Sequence, residues 1–259
     1  RYPGGKSRAV KHILPHFPED VTEVCSPFLG GGSVELALAE KGVWVYGYDT
    51  FEPLIWFWRA LLGNPDALAN EADLLRKYKD YYYGHRGLPK DDFNLIKQEL
   101  RNEEKYSLQN AAKFYALNRS SFSGATLSGG WSKRASYERF TDSSITRIRE
   151  FSEPKLYVAA QHFKHSIPAH PKTFLYLDPP YLLGKDKENL YGDAGNKHKG
   201  FDHAGLVNIL RERDNWILSY NNCPEILKLY EGYDIIYPDW KYGMSSNKDS
   251  KEVLIINKG

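Results

Sequence analysis

Cysteine is scarce in this sequence: Cys25 and Cys223 stand alone, with no C-x-x-C pair and no nearby histidine pattern. That argues against a zinc site or a disulfide framework and leaves two reduced core thiols as the expectation. Long hydrophobic runs are missing too. No stretch reaches eighteen apolar residues and no basic-then-apolar leader opens the chain, so neither a membrane span nor a secretion signal is expected. The expected location is the cytoplasm, in a bacterium or in a host cell carrying a virus that encodes the chain. Charge of one sign is also lacking, since Lys and Arg exceed Asp and Glu by a net +2, and bulk composition therefore does not announce a nucleic-acid partner. No internal repeat or long low-complexity segment suggests a solenoid or a disordered tail. What remains is a chain of 259 residues with 41% apolar content, enough to bury a core as one large domain or as one domain with a sizeable insertion.

The front of the chain reads as an α/β unit. Val21 to Cys25 forms a buried strand, the glycine-rich Pro27-Phe28-Leu29-Gly30-Gly31-Gly32 a turn, and Ser33 to Ala39 a helix stopped near Gly42. A second strand, Val43 to Tyr48, ends at Asp49, nineteen positions after Gly30. Strand, glycine turn, helix, strand and acid in this order suit a nucleoside whose ribose diol is held by the carboxylate. The G-x-G-x-x-G spacing that a pyrophosphate requires is absent, which makes a nicotinamide-dependent oxidoreductase a poor fit.

From about Glu52 to about Pro154 the periodicity becomes helical, with amphipathic stretches at Asp91 to Leu100 and Asn110 to Leu117. Basic residues alternate with tyrosines from Arg76 to Tyr83 and recur at Lys133, Arg134, Arg139, Arg147 and Arg149. Such interleaving suits a phosphate backbone, with a solvated helix face as the plain alternative. The segment Ser121 to Arg134 combines glycines, small polar residues and aromatics, and reads as a loop or hairpin able to enter a groove. Strand–helix units resume after Leu156, with strands at Phe174 to Leu177, Trp216 to Tyr220, Ile235 to Tyr237 and Val253 to Ile256, and a helix at Ala204 to Arg213. Lys185 to Gly200 is polar and reads as a loop that follows soon after the strand Phe174 to Leu177.

Asp178-Pro179-Pro180-Tyr181, at the end of the apolar Phe174-Leu175-Tyr176-Leu177, is the most informative feature. An exocyclic amine on a nucleobase is a poor nucleophile because its lone pair is delocalised into the ring. The Asp178 carboxylate can accept one N–H and the Pro179 carbonyl the other, since proline keeps its acceptor while losing its donor. The prolines keep both acceptors extended toward one point, Pro180 restraining Pro179, and Tyr181 offers a face for the base to stack on.

Tyr2-Pro3-Gly4-Gly5-Lys6, Pro27 to Gly32, Tyr48-Asp49 and Asp178 to Tyr181, in this order and over nearly the whole chain, resemble the D12-class, Dam-like DNA adenine-N6 methyltransferases. The resemblance implies a Rossmann-like S-adenosylmethionine-dependent core, residues 1–52 and 155–259, interrupted at 53–154 by a mostly helical target-recognition domain. It implies methyl transfer to adenine N6 in double-stranded DNA after base flipping, with no metal. Tyr2, Lys6, Pro27, Phe28, Gly30, Gly32, Asp49 and Asp178 would bind the cofactor, Asp178 through Tyr181 would carry the catalysis, and Arg119, Phe122, Ser123, Trp131, Lys133 and Arg134 would meet DNA. Ser26 stands where the family often has an acid before Pro-Phe. The stretch Phe122-Ser123-Gly124 lacks the Asn-Gly pair of GATC-specific members, so GATC is not the expected target.

Two other readings stay open on the residues alone. Cytosine-N4 methylation uses the same amine logic, and a catalytically silent DNA-binding module could retain the fold. Nothing in the residues distinguishes a stand-alone enzyme from one with a restriction endonuclease partner.

Overall fold

A computed structural model describes residues 4–182, 200–238 and 252–258. Two compact units emerge, one built on Phe51–Pro154 and the other on Gly5–Thr50 with the described residues from Lys155 onward. In chain order the strands are β1 Glu23–Ser26, β2 Trp44–Asp49, β3 Lys77–Lys79, β4 Arg86–Gly87, β5 Leu156–Ala160, β6 Phe174–Leu177, β7 Trp216–Asn221, β8 Asp234–Ile236 and β9 Glu252–Asn257.

The unit that holds both termini of the sheet is a seven-stranded layer in the order β5-β2-β1-β6-β7-β9-β8. The first five strands of that order are parallel, and β9 runs antiparallel to both β7 and β8. Every residue of β6 is buried and β7 is buried from Trp216 to Tyr220, which is why they read as continuous apolar runs rather than alternating ones. Phe163 and Ile167 of the helix Phe163–Ala169, and Leu206, Val207 and Leu210 of His203–Arg211, belong to one core with Leu175, Leu177, Trp216 and Leu218. Each such side chain contributes about 1.5–3 kcal/mol by leaving water. The Rossmann-like α/β expectation is met. No helix among the described residues is long and apolar enough to cross a membrane.

The strand order decides where chemistry can occur. β1 pairs with β6 through Val24↔Phe174 and Cys25↔Leu175, while β2 lies on the other side of β1. Connections leave β1 and β6 in opposite directions, which makes their carboxyl ends the topological switch point, the place where open α/β sheets bind ligands.

The other unit contains the helices Glu52–Gly63, Pro65–Leu74, Lys90–Arg101, Leu108–Ser120, Lys133–Arg139 and Asp142–Arg149. Caps fix several of their starts: Asn64, Ser107 and Ser132 each accept a backbone N–H three residues on, the arrangement that makes these residue types good helix initiators. The basic and aromatic run from Arg76 to Tyr83 is not a helix face. It forms β3 and the turn of an antiparallel hairpin with β4, because Asp80 accepts the N–H groups of Tyr82 and Tyr83 and Gly84 takes φ 67°.

Candidate active site

The loop after β1 is shaped by two left-handed glycines, Gly30 at φ 48° and Gly32 at φ 64°, a conformation that a Cβ disfavours. Gly32 caps the helix Ser33–Glu40 without a side chain. The loop lies close over β2: Leu29 N–H donates to Tyr48 O at 2.8 Å, and a Cβ on Gly47 would come within 2.8 Å of Leu29. At the end of β2 the Asp49 carboxylate accepts Gly30 N–H at 3.1 Å. The acid expected to hold a diol therefore also ties down the glycine loop. Pro27 is buried, and Phe28 packs edge-on against Phe201 at 5.6 Å and tilted against Phe163 at 5.7 Å.

Asp178 emerges where β6 stops, since Pro179 and Pro180 supply no N–H to continue a ladder. Its Oδ1 lies 2.9 Å from Lys6 Nζ, and Lys6 is nearly fully buried while Asp178 keeps 20% of its side chain exposed. Lys6 also donates to the Tyr181 hydroxyl at 2.5 Å and approaches Glu252 Oε1 at 3.5 Å. The Tyr181 ring stacks on Tyr220 at 5.9 Å. Beyond the tetrapeptide, Asn221 clamps the Leu182 peptide at both ends, accepting its N–H at 3.1 Å and donating to its carbonyl at 2.8 Å. The turn from Asp178 to Leu182 is thus gripped from β7 on one side and by Lys6 on the other.

Burial governs the protonation of this cluster. It pushes the Asp178 carboxyl up to about 6, against the pull of the Lys6 charge and with a further push from Glu252. Burial would lower the Lys6 ammonium, but Asp178 and Glu252 outweigh it and its pKa is raised. The Tyr181 hydroxyl is driven well up by burial and by the Asp178 charge. A cation held among two carboxylates and a phenol orients all three groups, because moving either carboxylate would leave a buried charge less well paired and moving the phenol would cost a hydrogen bond.

Four residues of this site were not singled out in the sequence. Glu252 arrives because β9 is antiparallel: Asn221↔Glu252 pairs its first residue with the last of β7, and a strand that starts where its neighbours end delivers its leading side chain to their carboxyl edge. Tyr220 and Asn221 look like ordinary strand residues until Tyr181 and Leu182 are placed against them. Glu35 lies in the first turn of Ser33–Glu40, fully buried, and accepts the Ser26 hydroxyl at 2.6 Å. Burial pushes its carboxyl up to about 7, partly offset by the Ser26 hydrogen bond. The position before Pro27 carries no acid, yet a buried carboxyl stands against its side chain. Burial also pushes the Cys25 thiol up to about 12, and both cysteines are free of disulfides. Tyr2 lies outside the described residues, as does the polar segment after Leu182 up to Gly200.

The remaining site candidates sit in the helical unit. Phe122 and Ser123 are exposed, and Ser123 adopts φ 53° in a tight turn, Phe122–Gly124, followed by a second, Thr126–Ser128. A single bridge, Ser121↔Trp131, closes the segment, while Lys97 Nζ and Arg101 Nη2 strap it by donating to Gly129 O and Leu127 O. Trp131 is half-buried and donates its ring N–H to Leu88 O at 2.9 Å. Arg119 donates twice to Arg139 O, at 3.0 and 2.8 Å, so its guanidinium is committed to the backbone. Lys133 pairs with Asp80 at 3.0 Å and Arg134 with Glu138 at 2.7 Å. Both lie at the surface, where such pairs contribute little and exchange readily for other anions. Among the described residues, no group of three or more His, Cys, Asp or Glu is placed to hold a metal ion.

The family model described as D12 class N6 adenine-specific DNA methyltransferase matches residues 2–244. Over its whole length the chain is similar to the Type II methyltransferase M1.LlaDCHI of Lactococcus lactis subsp. cremoris, at 23% identity and covering 94% of that protein.

Proposed function

The chain belongs to the D12 class N6 adenine-specific DNA methyltransferase family, and we propose that Asp178 to Tyr181 receive the adenine while the loop from Pro27 to Gly32, with Asp49, holds S-adenosylmethionine. The reaction is methylation of adenine N6 in DNA, and the cytosine-N4, silent-module and oxidoreductase readings give way to it. The observation that carries the residue assignment is the buried Lys6–Asp178 pair at the carboxyl end of β6, beside the glycine loop that follows β1.

The residues present fit S-adenosylmethionine. Asp49 suits a ribose diol, Gly30 and Gly32 let backbone approach the ligand, the Phe28 ring gives an apolar wall, and Lys6 with Asp178 offers opposite charges to a zwitterionic amino-acid end. When bound, that cofactor supplies a methyl group on a sulfonium, which leaves without further activation. The protein's own part is positioning and lone-pair localisation. Asp178, partly exposed, accepts one N6–H, the Pro179 carbonyl accepts the other, and the amine lone pair turns out of the ring plane toward the methyl group. Tyr181, backed by Tyr220, presents its ring to the base. In a duplex the target is stacked, so it is extruded at a cost of a few kcal/mol. The unit built on Phe51–Pro154 is proposed to meet that cost as a target-recognition domain, with Phe122, Ser123, Trp131, Lys133 and Arg134 as its contacts and Arg119 as an internal brace.

Incubation with labelled S-adenosylmethionine and genomic DNA, followed by nucleoside analysis, tests the cofactor and the base together. Label in N6-methyladenine is the expected result. No transfer from this donor, or label in N4-methylcytosine, would overturn the reading.

A further inference from the structure

The β3–β4 hairpin carries features that the catalytic reading does not use. Tyr81 is fully exposed and Tyr82 is 83% exposed, unusual for adjacent aromatics in a turn. The turn beneath them is fixed. Asp80 accepts the N–H groups of Tyr82 and Tyr83 at 2.9 and 3.1 Å, Gly84 N–H closes onto Asp80 O at 2.9 Å, and Lys133 holds the other Asp80 oxygen. The Tyr83 ring stacks on Tyr137 with 7° between planes. Gly87 brings β4 so near the helix Lys133–Arg139 that a Cβ there would lie 2.7 Å from the Tyr137 ring. Two rings are therefore held out in water by a turn whose other side chains are anchored, at the ordinary cost of exposing apolar surface.

Charge identifies the occupant. The tip is flanked by exposed Lys79 and His85, and on the adjoining helix Lys133 pairs with Asp80 and Arg134 with Glu138. Lys77 and Arg86, at the base, pair with Asp92 and Asp73. The one acid in the turn, Asp80, faces inward onto two N–H groups and a lysine, and its carboxyl is held below the ordinary range by the Lys133 hydrogen bond. Two exposed rings beside the exposed Lys79, with the local acid turned onto its own turn and a lysine, match a nucleic-acid surface rather than a neutral protein patch.

We propose that Tyr81 and Tyr82 form a stacking wedge that contacts the DNA duplex, a second DNA-binding element beside the segment Phe122 to Arg134. The inference rests on the DNA-methylating reading above and adds a contact to it. A wedge of this kind stacks on an opened base step and contributes through ring area, whereas Lys79 contributes through its charge.

The test uses the full chain, a fluorescent random-sequence duplex and labelled methyl transfer to genomic DNA. Tyr81→Ala/Tyr82→Ala should weaken duplex affinity by about tenfold or more, with S-adenosylmethionine affinity and melting temperature unchanged. The slope of log affinity against log salt should stay as in the wild type. Lys79→Ala should lower that slope by about one unit, and Tyr81→Trp/Tyr82→Trp should retain binding because the ring is what acts. Tyr81→Ala alone, which removes a ring standing in water, guards against an unfolded double variant and should give part of the loss. Alanine variants that bind duplex within about twofold of wild type would overturn the wedge while methylation stands, as would a changed oligomeric state with unaltered DNA affinity. A wild-type chain that neither binds duplex nor methylates it would instead overturn the functional reading, and the wedge with it.

Discussion

The Lys6 ammonium lies 2.9 Å from the Asp178 carboxylate, and this contact joins the motif at the front of the chain to the tetrapeptide Asp178 to Tyr181. Lys6 holds Asp178 ionised against a burial that favours the neutral acid. In the proposed role an ionised Asp178 accepts an N6–H in a charge-assisted bond, and protonation would leave only a weaker neutral acceptor.

Turnover should accordingly depend on pH with a defined sign. The Asp178 carboxyl is raised from 3.8 to about 6, so activity should be present above that value and fall as pH drops through it. Lys6→Met removes the opposing charge and leaves Glu252 beside Asp178, and the acid limb of the kcat–pH profile should move upward by about one to three units. An unmoved limb in the variant would show that Lys6 does not control Asp178.

Asp178→Ala should reduce methyl transfer by more than about tenfold, a barrier of at least about 1.4 kcal/mol, while DNA affinity is largely kept. Asp178→Asn should be milder, since an amide oxygen still accepts one N–H, although without the charge that strengthens the bond. Single-turnover methylation with melting temperature measured alongside separates a chemical loss from a folding one.

Asp49→Ala should weaken S-adenosylmethionine binding by about 1.5–3 kcal/mol, the worth of a hydrogen bond to a charged group, and should also release Gly30 N–H from its tie. Calorimetric titration with the cofactor measures the loss, and duplex affinity should barely change. Equal cofactor affinity in variant and wild type would reject the ribose assignment.

Glu35→Gln tests the buried carboxyl against Ser26. The folded-state pKa is raised from 4.5 to about 7, so the folded chain holds this proton more tightly than the unfolded one. Its contribution is fully present below about 4.5 and is lost as pH rises through about 7. Glutamine keeps an acceptor for Ser26 and has no charge to bury. The variant should match wild type in melting temperature near pH 5 and exceed it near pH 8.

The sequence by itself determined the family, through its motifs and their order, and most of the sheet. The apolar runs at Phe174 to Leu177 and Trp216 to Tyr220 fix strands because their residues are buried on both faces, and the proline pair ends β6 directly after Asp178. The spacing from Gly30 to Asp49 was equally legible, and the fold turns it into a hydrogen bond. Local patterns of this kind survive because backbone geometry and side-chain burial act over a few residues. Tertiary structure alone decided the partners. Glu252 reaches Lys6 through antiparallel pairing with Asn221, and Glu35 reaches Ser26 through the turn of a helix over the sheet. It also decided which cations are committed, binding Arg119 to a carbonyl while Lys79 stays at the surface. A charge in a sequence has no address until packing sets its distance to other charges, and electrostatic roles depend on that distance and on burial.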